Sequence, residues 1–245
     1  MMIVVTGTVA PSDSQGDLKL LDAEKRLVQY KDALRHLIES EPEAEIVFAE
    51  NSGFGTEAFE DIVALSGKHG IKLEVLSFKG DAAAVEKHGK GYGEGEILKF
   101  VLDNSRIAAG EDYLVKITGR LVVDNIARIV RDIHHDRVYF NIPNIHRKEF
   151  YDTRLYGMPV DVFKRFFIRE FEKVNDSEGY YLEHAYTDAA ISNGLKVFNF
   201  PLYPRIVGQS GTSGAVYGYK EWKSRIRDFL SAFNVYAKTT RGDKR

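Results

Sequence analysis

The first 145 or so residues alternate short apolar runs with amphipathic stretches, and this alternation restricts the fold more than any other feature of the chain. Apolar, strand-like runs occupy residues 3–5, 45–50, 71–78, 112–117 and 137–141. Between them, apolar residues recur at helical spacing over 22–40, 56–69, 94–105 and 122–132. Repeated strand-helix units predict a mostly parallel central sheet flanked by helices, with right-handed crossovers. We therefore expect an α/β protein of Rossmann type, whose ligands bind where the strands end.

The pattern changes after residue 145, which predicts a smaller part with mixed sheet. A strand-like stretch from Tyr151 precedes a phenylalanine-rich amphipathic helix that reaches Glu172. A helix over 177–193 and a strand over 196–200 follow, and the glycine-rich segment 204–218 predicts a mobile lid. A final helix over 219–236 keeps its apolar residues on one stripe. We predict one domain over 1–245, divided into 1–145, 146–218, and a C-terminal helix with a basic tail over 219–245.

Composition excludes several classes of function. Lysine and arginine total 34 against 36 aspartates and glutamates, so no net positive field would attract nucleic acid. The chain has no cysteine, which excludes disulfides, thiolate zinc sites and a cysteine nucleophile, and fits the cytoplasm. The segment 1–7 lacks a basic region and predicts a buried strand rather than a signal peptide. No apolar run reaches the roughly 18 residues of a transmembrane segment, so we expect none.

Two glycine-bearing segments follow predicted strands. In Glu50-Asn51-Ser52-Gly53, the polar side chains can bind a nucleobase or ribose, or can form a turn and cap the next helix. The segment Gly89–Gly95 matches neither the dinucleotide fingerprint, because position 94 is glutamate, nor a P-loop. It predicts a flexible entrance to a helix at Glu94, whose backbone amides either approach a phosphate or sugar or simply begin the helix.

A third segment, Lys116-Ile117-Thr118-Gly119-Arg120, places two cations at the end of a predicted central strand. Burying such a charge costs several kcal/mol unless it is paired, so a partner is expected. That partner is either a carboxylate in a salt bridge or a bound anion such as a diphosphate. Both alternatives stay open from the sequence.

Candidate catalytic groups lie in the second half of the chain. Asp152 stands two residues before Arg154, and Glu183 precedes His184. A glutamate near a helix start in an aromatic setting can have a raised pKa and act as a general base, whereas the alternative is a solvated helix face. The pair His134-His135 has no third ligand at metal spacing.

Taken in order, these segments resemble the GT-A-type glycosyltransferases that build bacterial surface polysaccharides such as O-antigen, lipopolysaccharide or capsule. The similarity spans residues 3–217. It rests on the strand and loop at Thr6-Gly7-Thr8, the Asn51-Ser52 pair, the helix entrance Gly91-Tyr92-Gly93-Glu94, and the later glutamate-bearing helix. The resemblance implies that residues 1–145 bind a nucleotide and that residues 146–218 hold the acceptor and the catalytic groups.

The resemblance also implies an activity and a set of roles. The expected reaction transfers a sugar from a nucleotide-sugar, a UDP-sugar, to a saccharide acceptor with inversion, and Glu183 acts as base. The residues implied at the donor are Thr6, Gly7, Asn51, Ser52, Gly91, Tyr92, Lys116, Thr118, Gly119 and Arg120, with Lys116 and Arg120 on the diphosphate. Beside Glu183, the catalytic residues implied are Asp152 and His184, and Asp152 also orients the sugars together with Arg154. The residues implied at the acceptor or in the lid are Arg154, Arg205, Ser210 and Thr212.

The chain departs from the family pattern at its metal site. Lys116–Arg120 stands where two aspartates, as Asp-x-Asp, would flank Mn²⁺ or Mg²⁺, and Asp124 lies four residues beyond Arg120. Fixed cations can stabilise a leaving diphosphate instead, because catalysis places positive charge where negative charge develops. Should an ion bind, Asp152 and His184 are the ligands to test.

Acceptors of this family are commonly lipid-linked, which implies peripheral contact with the inner face of the membrane. The basic tail residues Lys238, Arg241, Lys244 and Arg245 suit an anionic surface, or form an ordinary solvated terminus. Two other functions stay open. One is a sugar-phosphate nucleotidyltransferase, although the segment 6–16 lacks the expected lysine or arginine. The other is a non-catalytic carbohydrate-binding protein of the same fold.

Overall fold

The computed structural model describes residues 1–11, 22–142, 150–209, 216–218 and 221–232. The strands are β1 (Met2–Gly7), β2 (Glu45–Glu50), β3 (Leu73–Ser77), β4 (Tyr113–Thr118), β5 (Leu121–Val123), β6 (Val138–Asn141), β7 (Asp152–Pro159), β8 (Val197–Phe198), β9 (Ile206–Gln209) and β10 (Val216–Tyr217). The helices are α1 (Ala23–Glu39), α2 (Glu60–Lys68), α3 (Ala82–His88), α4 (Lys90–Asn104), α5 (Arg106–Gly110), α6 (Ile126–Asp132), α7 (Val160–Phe166), α8 (Leu182–Ser192) and α9 (Glu221–Ala232). Short 3₁₀ turns cover Glu57–Phe59, Glu170–Lys173 and Asp176–Glu178.

A seven-stranded sheet, in the order β3-β2-β1-β4-β7-β6-β8, forms the centre of the molecule. Strands β3, β2, β1 and β4 are parallel, and β7 runs antiparallel to its neighbours β4 and β6. The chain proceeds outward from β1 to β3 and then returns to the other side of β1 with β4. This reversal of strand order opens a crevice at the carboxyl ends of β1 and β4. The amino end of β7 lies at the same edge because β7 is antiparallel.

Helices cover both faces of the sheet and bury two apolar clusters. In β1, Met2 and Val4 pack with the α4 cluster, whereas Ile3 and Val5 pack with the α1 cluster. Because side chains alternate between faces, a strand buried on both sides is apolar throughout. The fold class expected from the sequence, an α/β protein with a mostly parallel sheet, is confirmed.

The glycine-rich segment before α4 differs from its prediction. We expected a flexible loop over 89–95, but α4 already begins at Lys90, and only Gly89, with φ +98°, separates it from α3. A Cβ atom at Gly95 would lie 2.1 Å from the Cβ of Phe171. The glycines of this segment therefore allow Phe171 and Leu182 to pack closely against α4, which explains why the segment is helical.

The predicted lid was also wrong in part. Ile206–Gln209 pairs with β5 and with β10 in a three-stranded antiparallel sheet, so this segment is not a single irregular loop. The same pairing takes Val122 and Val123 out of the helix predicted over 122–132, and the observed helix α6 begins at Ile126. Helices α3 and α5 were not predicted from the sequence, and the helix predicted over 177–193 begins only at Leu182. The division into functional halves stays a prediction.

Candidate active site

Lys116 lies at the centre of the candidate site and is fully buried on β4. Its Nζ donates to Glu94 Oε1 at 2.5 Å, to Thr118 Oγ1 at 2.9 Å and to the backbone carbonyl of Thr153 at 2.8 Å. An ammonium group has three N–H donors, so all of them are used. Of the two alternatives that the sequence left open for Lys116, the structure therefore shows the ion pair.

Glu94, the carboxylate partner, lies near the start of α4 and was not among the predicted site residues. Its side chain is 22% exposed, whereas that of Lys116 is completely enclosed. A signal for it existed, since a lysine on a central strand needs a carboxylate and Glu94 is the one acidic residue within 89–95. The sequence alone did not indicate that α4 would place the Glu94 side chain next to β4.

Glu183, in the first turn of α8, is connected to Lys116 through Thr153. Its Oε1 accepts a hydrogen bond from Thr153 Oγ1 at 2.8 Å. Burial raises the pKa of Glu183, and the charges of Glu94 and Asp152 raise it further, against the opposing effect of the hydrogen bonds that it accepts. Of the two alternatives that the sequence left open for Glu183, the structure therefore shows a partly buried carboxylate rather than a solvated helix face. Thr153 joins the two halves of the site, and we name Glu94, Lys116, Thr153 and Glu183 the carboxylate cluster.

Asp152 and Arg154 form an ion pair beside this cluster. Arg154 donates to the Asp152 carboxylate from Nε at 2.8 Å and from Nη2 at 2.5 Å, and its backbone N–H adds a third bond at 3.0 Å. Asn141 Nδ2 donates to the same carboxylate at 2.9 Å. Asp152 therefore fixes Arg154 at the amino end of β7.

The predicted metal ligands do not form a ligand set. His184 Nδ1 accepts from the backbone N–H of Tyr181 at 3.1 Å, so this nitrogen caps α8, and the imidazole ring stacks with the rings of Tyr180 and Tyr181. The Asp152 oxygens bind Arg154 and Asn141, as described above. Within the ranges that the structure describes, no three His, Cys, Asp or Glu residues are placed to hold a metal ion.

The glycines at the ends of β1 and β4 allow these two strand ends to meet. Gly119 N–H donates to the Thr6 carbonyl at 2.9 Å, and a Cβ atom at Gly119 would lie 2.3 Å from that oxygen. A Cβ atom at Gly7 would lie 2.9 Å from the ring of Phe48. Thr6 itself is buried. Both glycines therefore shape the floor of the crevice through close packing.

The loops after β1 and β2 are tied together by polar side chains. Thr8 Oγ1 donates to Asn51 Oδ1 at 2.6 Å, and Asn51 Nδ2 donates to the Gly93 carbonyl at 3.4 Å. Ser52 Oγ accepts from the Ala10 N–H at 3.0 Å and donates to the buried Glu50 carboxylate. Of the two roles that the sequence left open for Ser52, the structure therefore shows the turn. Asn51 connects the loop after β1, the loop after β2 and helix α4 at the crevice.

Arg120 lies against α1, on the opposite face of the sheet from the Lys116 ammonium. Its Nη1 donates to Gln29 Oε1 at 2.8 Å. Nearby, Arg26 Nε donates to the Thr8 carbonyl at 2.8 Å. Burial lowers the pKa of the Arg26 guanidinium, and the charge of Arg120 lowers it further. The expected pairing of Lys116 with Arg120 is therefore not observed, and a pair of guanidinium groups lies near the ends of β1 and β4 instead.

The remaining predicted residues lie at the margins. A Cβ atom at Gly91 would meet Leu182 at 3.0 Å, and the Tyr92 ring stacks on His88 at 5.3 Å. Arg205 Nη2 donates to Asp228 Oδ2 at 3.1 Å and so connects to α9. Ser210 and Thr212 lie outside the described residues.

No protein-family model and no curated protein matches the chain. Among solved structures, a putative nucleotide-diphospho-sugar transferase from Desulfovibrio desulfuricans G20 matches with a TM-score of 0.50 and 14% identity, over 81% of this chain and 78% of that one. The glycosyltransferase GlyE of Streptococcus pneumoniae TIGR4 matches with a TM-score of 0.51 and 11% identity, over 82% of this chain and 46% of that one.

The galactosyltransferase LgtC, solved with donor and acceptor sugar analogs, matches with a TM-score of 0.51 and 11% identity, over 82% of this chain and 74% of that one. At such low identity the similarity establishes the fold. Within the described part of the chain, every helix is too short or too polar to cross a bilayer. The chain thus has the α/β architecture, with a mostly parallel sheet, that these sugar-transferring enzymes share.

Proposed function

We propose that the chain is a glycosyltransferase that moves a sugar from a UDP-sugar to a saccharide hydroxyl in bacterial surface-polysaccharide synthesis. One observation carries the proposal: the carboxylate cluster, with its glutamate of raised pKa, lies where β4 ends and β7 begins, beside β1. Strand order reverses at this edge, and α/β sheets bind their ligands at such a point. A titratable group with a perturbed pKa in such a crevice marks a candidate active site.

Glu183 is the base in this proposal. Its carboxylate takes the proton of the acceptor hydroxyl while that oxygen bonds to the anomeric carbon. The bond from this carbon to the diphosphate breaks, and UDP leaves with the electron pair. A pKa raised toward neutrality suits a general base. One positioned base is sufficient for direct displacement with inversion, whereas retention through a covalent intermediate requires a nucleophile as well.

Lys116 takes a positioning role, because its three donors are bound within the protein. Its ammonium group binds one oxygen of Glu94 and the backbone carbonyl of Thr153. The side chain of Thr153 in turn donates to Glu183. We assign the second oxygen of Glu94 to a hydroxyl of the donor sugar. The Asp152–Arg154 pair orients the donor or acceptor sugar beside it.

Arg120 supplies positive charge for the leaving diphosphate, while the buried Arg26 holds the loop after β1 through the Thr8 carbonyl. Guanidinium groups bind phosphate oxygens through strong, charge-assisted hydrogen bonds. The nucleoside lies against the Thr8–Asn51 pair, where the loops after β1 and β2 meet. Ser210 and Thr212 are assigned to cover the donor, and Arg205, which pairs with Asp228, belongs to the same proposed lid. The acceptor is a lipid-linked saccharide at the inner face of the membrane.

The test measures UDP release from a panel of UDP-sugars, together with calorimetric binding of UDP and UMP. We expect Glu183→Gln to reduce transfer by roughly 10²–10⁴-fold while UDP affinity persists. Glu178→Gln is the matched control, since this exposed glutamate precedes α8 and lies outside the carboxylate cluster. Unchanged turnover in Glu183→Gln would remove the base from its role. Absence of nucleotide affinity would instead favour a carbohydrate-binding protein.

A further inference from the structure

Helix α9 presents apolar side chains to solvent. Trp222 is 60% exposed, Ile226 52% and Phe229 63%. At 100° per residue these three positions fall within an arc of about 60° on one side of the helix. We name them the α9 stripe. In an ordinary surface helix the apolar side faces the protein, so this orientation is the reverse of the usual one.

The opposite side of α9 fixes the helix to the protein through polar contacts. Asp228 accepts the Tyr203 N–H at 2.8 Å and the Arg205 guanidinium at 3.1 Å. The Arg227 guanidinium lies 4.3 Å from the centre of the Tyr203 ring, and Ser224 is buried. Turning the stripe inward would break these contacts. The exposure of the stripe is therefore a consequence of how α9 is attached.

Cations flank the stripe on both sides. Lys223 and Arg225 are exposed, and about 100° of helix rotation per residue places them to the two sides of the arc. The Lys223 ammonium lies 5.4 Å from the centre of the Trp222 ring. Long aliphatic stems allow such residues to lie along an apolar surface while their charges reach outward. Beyond the helix, residues 233–245 add four lysines and arginines against one aspartate.

From this pattern we infer that α9 docks on an anionic phospholipid surface, with the stripe at the boundary between headgroups and acyl chains. Tryptophan and phenylalanine on one side and lysine and arginine beside them are typical of helices that lie in a membrane interface. The cations favour anionic lipid over an apolar protein partner, because each adds attraction to a negative surface. The inference does not depend on the proposed transfer reaction.

The sequence provides a site-specific probe, because Trp222 is the only tryptophan of the chain. The full chain is mixed with vesicles of phosphatidylglycerol and phosphatidylcholine, or of phosphatidylcholine alone. We expect the tryptophan emission to shift to shorter wavelength and to be quenched by brominated acyl chains with the anionic vesicles. Added salt should weaken both effects, because it screens the attraction.

Variants then separate the two contributions in a sedimentation assay. Ile226→Ser with Phe229→Ser should lower partitioning onto anionic vesicles at least about tenfold, because buried apolar area is lost. Lys223→Ser with Arg225→Ser should lower it roughly thirtyfold at low salt, since each charge contributes a factor of about five. The control is Val28→Ser with Ile191→Ser, which removes two exposed apolar side chains elsewhere and should change nothing.

Three results would overturn the inference. The first is that the emission of Trp222 does not change when anionic vesicles are added. The second is that, without lipid, this emission is already at short wavelength and is shielded from a soluble quencher, which would mean that the protein itself covers the stripe. The third is that ultracentrifugation detects a dimer that Ile226→Ser with Phe229→Ser dissociates, which makes the stripe a contact between copies. UDP binding is measured in the same samples, so that failure of the membrane inference can be distinguished from failure of the proposed function. The fluorescence experiment uses the unmodified chain and therefore does not depend on whether a variant folds.

Discussion

Replacing Lys116 by methionine tests the assignment of this residue most directly. Methionine fills nearly the same volume but cannot donate, so Glu94, Thr118 and the Thr153 carbonyl all lose a hydrogen-bond partner. Breaking a buried ion pair by removing one member costs about 3–5 kcal/mol. The Glu94 side chain is 22% exposed, which allows water to solvate it. We therefore expect a loss near the lower limit, about 3 kcal/mol.

Urea unfolding and thermal melting measure this loss. For a chain of this size, 1 kcal/mol shifts the melting temperature by roughly 2–4 °C, so Lys116→Met should melt about 6–12 °C lower. Glu94→Gln should also destabilise, because it leaves a buried ammonium without a counter-charge. The double variant should lose less stability than the sum of the two, with a coupling of about 1–3 kcal/mol.

Lys72→Met is the matched control, because its ammonium pairs with Glu45 at the surface, where such bridges contribute about 1 kcal/mol or less. Function provides the sharper criterion. Lys116→Met should reduce transfer, since the carboxylate cluster loses its geometry, but should weaken UDP binding less than about tenfold. A large loss of UDP affinity with unchanged stability would mean that Lys116 contacts the diphosphate directly, and would refute this reasoning.

Further predictions concern the other parts of the site. Arg120→Gln should weaken UDP binding by about 1.5–3 kcal/mol, and UMP less, in calorimetric titration, whereas Arg35→Gln on the exposed side of α1 should not. The raised pKa of Glu183 means that the folded protein retains a proton where the unfolded chain has lost it. Stability should thus fall as pH rises from the ordinary glutamate pKa through the raised one, and urea titrations of Glu183→Gln should lack this decline. Gly119→Ala should cost several kcal/mol, because its Cβ would meet a β1 carbonyl at 2.3 Å, whereas Gly110→Ala, with open space, should be neutral in thermal melting.

Local patterns were sufficient for the elements whose burial is regular. The strand predicted over 45–50 is β2, and the helix predicted over 22–40 is α1, with Asp22 as its cap. In both cases the signal lies within the segment itself, as a run buried on two faces or as an apolar stripe with a capping side chain. The helix start at Lys90 was missed, because glycine has low helix propensity and only the packing of Phe171 against Gly95 explains it.

The sequence by itself determined that a cation lies at the end of a central strand, that Glu183 lies in a helix, and that the last helix carries an apolar stripe. The tertiary structure decided the partner of each. Glu94 meets Lys116 across 22 residues of sequence, and the α9 stripe faces outward because Asp228 holds the helix by its other side. Periodicity specifies which side chains share a face, because it is set within one element. What that face meets depends on elements distant in the chain, and so on the packing of the whole protein.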